Sequence, residues 1–118
     1  MNREISSPYR AVLVAVSSKR EGVKIARGLL RKKLAACVNI IPGVESHFWW
    51  AGKLDKAAEH LLVIKSRREK IPGLTQFVVK QHSYDVCEVI SLPIAEGGAA
   101  YLRWIDRSIG KAPGRARK

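Results

Sequence analysis

The donor atoms best suited to chemistry in this 118-residue chain belong to two cysteines and three histidines. Cys37 and Cys87 lie far apart with no CxxC pairing, which argues against both a disulfide framework and a zinc ribbon. A thiolate is a soft ligand suited to Cu(I), and the imidazole of His82 suits copper or zinc. Cys37, His82 and Cys87 are therefore the candidate set for copper or another divalent metal. They can act together only where strands or subunits converge. The competing reading is that each cysteine is a small apolar side chain packed into the fold, a common fate for free thiols. Glu88 in "VCEVI" and Lys65 in "LLVIK" are the other chemically suggestive residues. A charge in an apolar strand is costly unless it is paired or points to solvent by alternation. His47 and His60 flank a hairpin and read as exposed strand residues rather than ligands. The signatures of common enzymes are absent: no glycine-rich phosphate loop, no nucleophile elbow and no HExxH. "VSSKREG", vaguely like an acylphosphatase loop, is better read as a helix cap with a solvent face.

The elements that must position these residues follow from hydrophobic patterning. Ala11–Val16, "AVLVAV", is apolar without alternation, as expected of a strand inside a sheet and buried on both faces. Ser17 or Ser18 offers an N-cap. Val23, Ala26, Leu30 and Leu34, supported by Ile25 and Leu29, then recur at helical spacing. Lys24, Arg27, Arg31 and Lys32 occupy the other face of this amphipathic helix. "CVNII" returns to strand character, and Pro42-Gly43 bends the strand or marks a bulge. The extended pattern continues to Leu54, with a turn expected at Asp55–Ala58 and a return strand over Glu59–Arg67. Pro72 opens a second helix with Leu74, Phe77 and Val78 facing inward. Val86–Ile94 is a fourth strand. Ala99–Ile109 is a last helix with Leu102, Ile105 and Ile109 inside and Gly110 at C′. The order β-α-β-β-α-β plus a terminal helix predicts an α+β, ferredoxin-like single domain with its core over about residues 11–109. The basic segment 110–118 reads as a disordered tail.

The second strand, read as Cys37–Leu54, is far longer than the usual five or six residues and than its expected partner. It carries Phe48, Trp49 and Trp50. Adjacent strand residues face opposite sides, so one domain cannot bury both tryptophans in the same core. An overhanging edge of this kind invites another copy of the chain. Burying one tryptophan removes about 200 Å² from water, or about 5 kcal/mol before ordering costs.

The net charge of +12 raises the possibility of nucleic-acid binding. RNA recognition motifs share this element order, but the central strands here lack stacked aromatics. The basic residues lie on the first helix and the tail rather than around the tryptophans. Nucleic acid is thus disfavoured as a specific partner, while salt-dependent, non-specific binding stays open. No window approaches the roughly 18 apolar residues of a membrane span. "MNREISSPYR" has no signal-like apolar region, which gives a cytoplasmic expectation without membrane contact.

"LAACVNIIPGVESHFWWAGKL", "LLVIKSR", "HSYDVCEVISLPI" and "YLRWI" resemble the CutA family of divalent-ion tolerance proteins, over about Ala11 to Ile109. The resemblance implies a ferredoxin-like subunit, similar to the PII proteins, in a homotrimer whose long second strands reach neighbouring sheets. It implies tolerance to copper and other divalent ions rather than a defined reaction. It also implies a cleft between subunits, lined by positions matching Trp50, Glu59, Lys65, His82, Tyr84, Glu88 and Trp104, that could hold a metal ion or small charged ligand. Phe48, Trp49 and Trp50 would lie at the trimer interface. The family motif resembles H-P-Y-E-V-P-E, whereas this chain reads His82, Ser83, Tyr84, Asp85, Val86, Cys87, Glu88. Both prolines are replaced, which frees backbone N–H groups and introduces a thiol. The alternative readings are a PII-like sensor of a small anion and an interaction scaffold.

Overall fold

A computed structural model describes residues 6–110. The order along the chain is β1 (Tyr9–Val16), α1 (Lys19–Arg31), β2 (Cys37–Trp50), β3 (Lys53–Arg67), a 3₁₀ turn (Arg68–Lys70), α2 (Ile71–Gln81), β4 (Ile90–Pro93) and α3 (Ala99–Ser108). The four strands form one antiparallel sheet in the order β2-β3-β1-β4. As expected, β1 is internal and β2 lies at an edge.

Period-two alternation sends Val12, Val14 and Val16 of β1 and Leu62 and Ile64 of β3 to one face, where Ile25, Leu29, Leu74 and Val78 of α1 and α2 complete the core. The buried stripe of α1 is Gly22, Ile25, Ala26 and Leu29. It is rotated from the expected one, so Leu30 is left exposed. The two helices approach closely at Gly28, where an added Cβ would lie 2.3 Å from the Phe77 ring. Ser66 is fully buried on this face and donates to the Leu34 carbonyl at 2.7 Å.

The other face of the sheet is only partly covered within one chain. Helix α3 packs there through Ile105, Ile109 and the buried Asp106. Asp106 accepts from Tyr9 Oη at 2.9 Å and from Arg67 Nη1, which ties α3 to the sheet. Ile90 and Leu92 remain exposed, and Leu13 and Val63 are half-buried. The expectation that β1 is buried on both faces thus holds on one face and only in part on the other. Gly110 has φ +79 and follows the C-cap Ile109, as its expected C′ place requires. No helix among the described residues is long and apolar enough to cross a membrane. The expected disordered tail lies outside the described residues beyond Gly110.

Two strand boundaries differ from expectation. The hairpin turns at Ala51-Gly52, both at positive φ (+52 and +76), rather than at Asp55–Ala58. Such a two-residue turn matches the right-handed twist of the flanking strands. Consequently β3 has 15 residues against 14 in β2, and β2 does not outrun its partner. The hairpin as a whole outruns the sheet. β1 ends opposite His60, while β2 and β3 continue as seven further pairs from Val44↔Glu59 to Trp50↔Lys53. At about 3.3 Å per residue this two-stranded arm projects roughly 23 Å. The register shift between Ile41 and Val44 is the expected bulge, with Gly43 at φ +75.

Strand β4 is also shorter than the expected Val86–Ile94. The pairs Ala11↔Leu92 and Leu13↔Ile90 would, if extended, set Glu88 opposite Ala15. His82 Nε2 instead donates to the Ala15 carbonyl at 2.7 Å, so 86–89 peels away from the sheet.

Candidate functional site

The underside of the arm and the peeled segment 84–88 enclose an open cleft of about 820 Å³. Alternation places Phe48, Trp50, Asp55 and Glu59 on one side of the arm. Tyr84, Asp85, Cys87 and Glu88 form the opposing wall. Glu59 is the buried member and accepts a hydrogen bond from Tyr84 Oη at 2.8 Å. Burial, that hydrogen bond and the charges of Glu59 and Glu21 push the Tyr84 phenol up to about 12. At neutral pH it is therefore a fixed donor. Asp55, Glu59, Asp85 and Glu88 bring four carboxylates to the cleft; Lys56, paired with His47 on the opposite side of the arm, is the one lysine among the lining residues. His47, on its rim, is paired with Glu45 at 2.7 Å. A strongly cationic protein thus carries an acidic, aromatic-walled recess.

The segment 84–88 is held from behind by a latch that begins in the sequence "SSKRE". Ser18 caps α1 by accepting from Glu21 N at 3.1 Å. The Glu21 carboxylate accepts from Ser17 Oγ at 3.0 Å, from Ser83 N at 2.6 Å and from Ser83 Oγ at 3.2 Å. Burial raises its pKa, but the Ser83 and Ser17 hydrogen bonds outweigh this and hold it below the ordinary carboxylate range. Ser83 stands where the resembled motif has proline, and proline could not make the 2.6 Å bond because it has no N–H. Both His82 nitrogens are engaged, Nε2 with Ala15 O and Nδ1 as acceptor from Tyr84 N at 3.1 Å.

The sequence-predicted residues separate into two groups. Trp50, Glu59, Tyr84, Glu88 and Cys87 share the cleft, and His82 lies buried behind it. Burial, together with the charge of Glu21, raises the Cys87 thiol pKa, partly offset by a backbone hydrogen bond, so the proton is retained at neutral pH. Cys37, Lys65 and Trp104 lie elsewhere. Cys37 pairs with Lys65, whose Nζ approaches Cys37 Sγ at 3.9 Å and bonds Asn39 Oδ1. Burial, with the neighbouring Cys37 thiol, raises the Tyr101 pKa. Trp104 stacks on Tyr101 at 5.4 Å. The Cys37–Lys65–Ala11 row lies four residues along β1 from Ala15, about 13 Å at strand spacing. Within one chain Cys37, His82 and Cys87 therefore do not meet. Among the described residues no three His, Cys, Asp or Glu side chains converge as a metal site.

Neither strand-borne tryptophan is buried within the chain. Trp49 is 72% exposed, Trp50 53% and Phe48 37%. Asp55 and Asp85 were not singled out from the sequence. The displaced turn hid Asp55, which is opposite Phe48 only when the hairpin closes at Ala51-Gly52.

Known proteins share both sequence and architecture with this chain. The profile of the family described as CutA1 divalent ion tolerance protein matches residues 10–108. The rice "Protein CutA 1, chloroplastic" is 48% identical over 101 residues, which is 86% of this chain and 57% of that protein. The chain thus spans little more than half the length of this plant relative. The "Divalent-cation tolerance protein CutA" of Archaeoglobus fulgidus is 40% identical over 101 residues, covering 86% of this chain and 98% of that one. Among solved structures, CutA1 from Oryza sativa superposes with a TM-score of 0.84 at 47% identity, covering 86% of this chain and 94% of that one. From residue matches along the whole sheet and from the superposed fold, the chain belongs to the CutA1 family of divalent ion tolerance proteins.

Proposed function

We propose that the protein acts in divalent-ion tolerance as a homotrimer whose arm clefts, completed between subunits, take a metal cation. The composition of the cleft carries this reading: Asp55, Glu59, Asp85, Glu88 and the Cys87 thiol line it, against Lys56 as the one lysine among the lining residues. That balance favours a cation over the small anion expected of a PII-like sensor. It also accounts for the lack of a ligand set within one chain, because a second subunit would supply the missing donors. Carboxylates suit hard divalent ions, and Cys87 adds the soft donor that copper prefers. Cys87 is a better placed candidate than His82, whose ring nitrogens are both engaged. Two free thiols and a Cu(I)-type ligand suit a reducing compartment, in keeping with a cytoplasmic location.

The arm supports the oligomer. A lone two-stranded ribbon is marginal in water, yet this one presents two tryptophans to solvent on opposite faces. Cu(I) titration of the wild type, Cys87→Ser and Cys37→Ser, with sedimentation of each, tests both parts. Cys87→Ser is expected to weaken binding at least tenfold with the trimer intact. Equal affinity in all three removes the thiol site, and a 13.1 kDa particle at micromolar concentration removes the trimer.

A further inference from the structure

We propose that the exposed face of α1 is a docking surface for the phosphate backbone of double-stranded nucleic acid. Arg20, Lys24, Arg27 and Arg31 follow the spacing i, i+4, i+7, i+11, which aligns them on one side of the helix. All four are exposed. At 1.5 Å per residue they form a straight row of cations about 16 Å long. Among the described residues none of them has an ion pair. The only carboxylate of α1, Glu21, is turned away and occupied by Ser17 and Ser83. The adjacent α2 adds Lys80 and no acidic residue. The exposed faces of α1 and α2 are thus predominantly cationic, whereas the cleft carboxylates belong to the arm and the segment facing it.

The arrangement selects among polyanions. Single strands are held largely by stacking on aromatic side chains, and the row contains none. Base edges are read by side chains that reach into a groove, whereas a flat row of Lys and Arg serves the backbone. A helix that binds a membrane surface inserts its apolar face, but Ile25, Ala26 and Leu29 are committed to the core. What remains is a rigid, linear, sequence-independent match to a duplex.

The test is fluorescence anisotropy of labelled 20-base-pair DNA and RNA duplexes with the full chain, from 50 to 200 mM KCl. Four phosphate contacts give a slope of log K against log salt of about −3.6, a loss of about 150-fold over that range. Arg27→Gln/Arg31→Gln is expected to halve the slope to about −1.8, leaving a loss of about 12-fold. Arg103→Gln/Arg107→Gln, which removes the same charge from exposed positions of α3, is expected to leave it unchanged. Matching circular dichroism and melting curves establish that each variant folds. An unchanged slope in Arg27→Gln/Arg31→Gln overturns the proposal, as does an equal loss in the α3 variant. Loss only in Arg115→Gln/Arg117→Gln/Lys118→Gln, or tighter binding at 150 mM KCl to vesicles with one-third phosphatidylserine than to either duplex, also overturns it.

Discussion

Glu21 shows how one side chain can join two distant segments. Its neighbour Ser18 and its place three residues into α1 make a helix start readable from the sequence. Its partner Ser83, sixty-two residues away, is not readable, because only folding sets them together. Glu21→Ala removes the acceptor for Ser83 N and Oγ and is expected to cost about 2–3 kcal/mol, since hydrogen bonds to a charged group are the stronger kind. The sign of its pH dependence follows from the lowered folded-state pKa. Its contribution is complete above the ordinary glutamate range and is lost as pH falls through the lower folded value. Acid titration of stability should therefore show a component in the wild type that Glu21→Ala lacks. Tyr84 acts in the opposite direction: its contribution is present below 10 and disappears as pH rises through about 12. The same limit on local reading explains the split among the expected cleft residues. Glu59 and Tyr84 meet through tertiary contact, while Lys65 lies beside Cys37 because of the β2–β3 register.

At the scale of elements, the hairpin was legible in kind and misjudged in extent. The bulge at Pro42-Gly43 could be seen because proline cannot donate to a ladder. The turn was missed because Ala-Gly is a weak signal beside the polar run Asp55–Lys56, and because Ala51 adopts a left-handed φ that alanine disfavours by about 1–2 kcal/mol. Ala51→Asn, which suits the first position of such a turn, is expected to raise stability by about 0.5–1 kcal/mol. A higher denaturant midpoint at unchanged slope checks this, and no gain means that the arm is unfolded or held by other contacts. The early end of β4 was equally hidden, since a histidine from another element takes the Ala15 carbonyl that would continue the ladder.

Across the whole molecule, composition anticipated the sign of the charge but not its arrangement. The exposed face of α1 is cationic and the arm's recess acidic. The fold order and the internal β1 were carried by hydrophobic pattern, and the edge position of β2 by the ferredoxin-like arrangement that this order implies. Long-range geometry was carried by no local signal. The three tryptophans also have an optical consequence. Trp49, Trp50 and Trp104 are 72%, 53% and 38% exposed in a single chain. An isolated subunit should therefore emit the red-shifted, quencher-accessible fluorescence of hydrated indole. Docking of the arm should move that emission to shorter wavelength and shield it from iodide, making the intrinsic spectrum a label-free gauge of association across a dilution series.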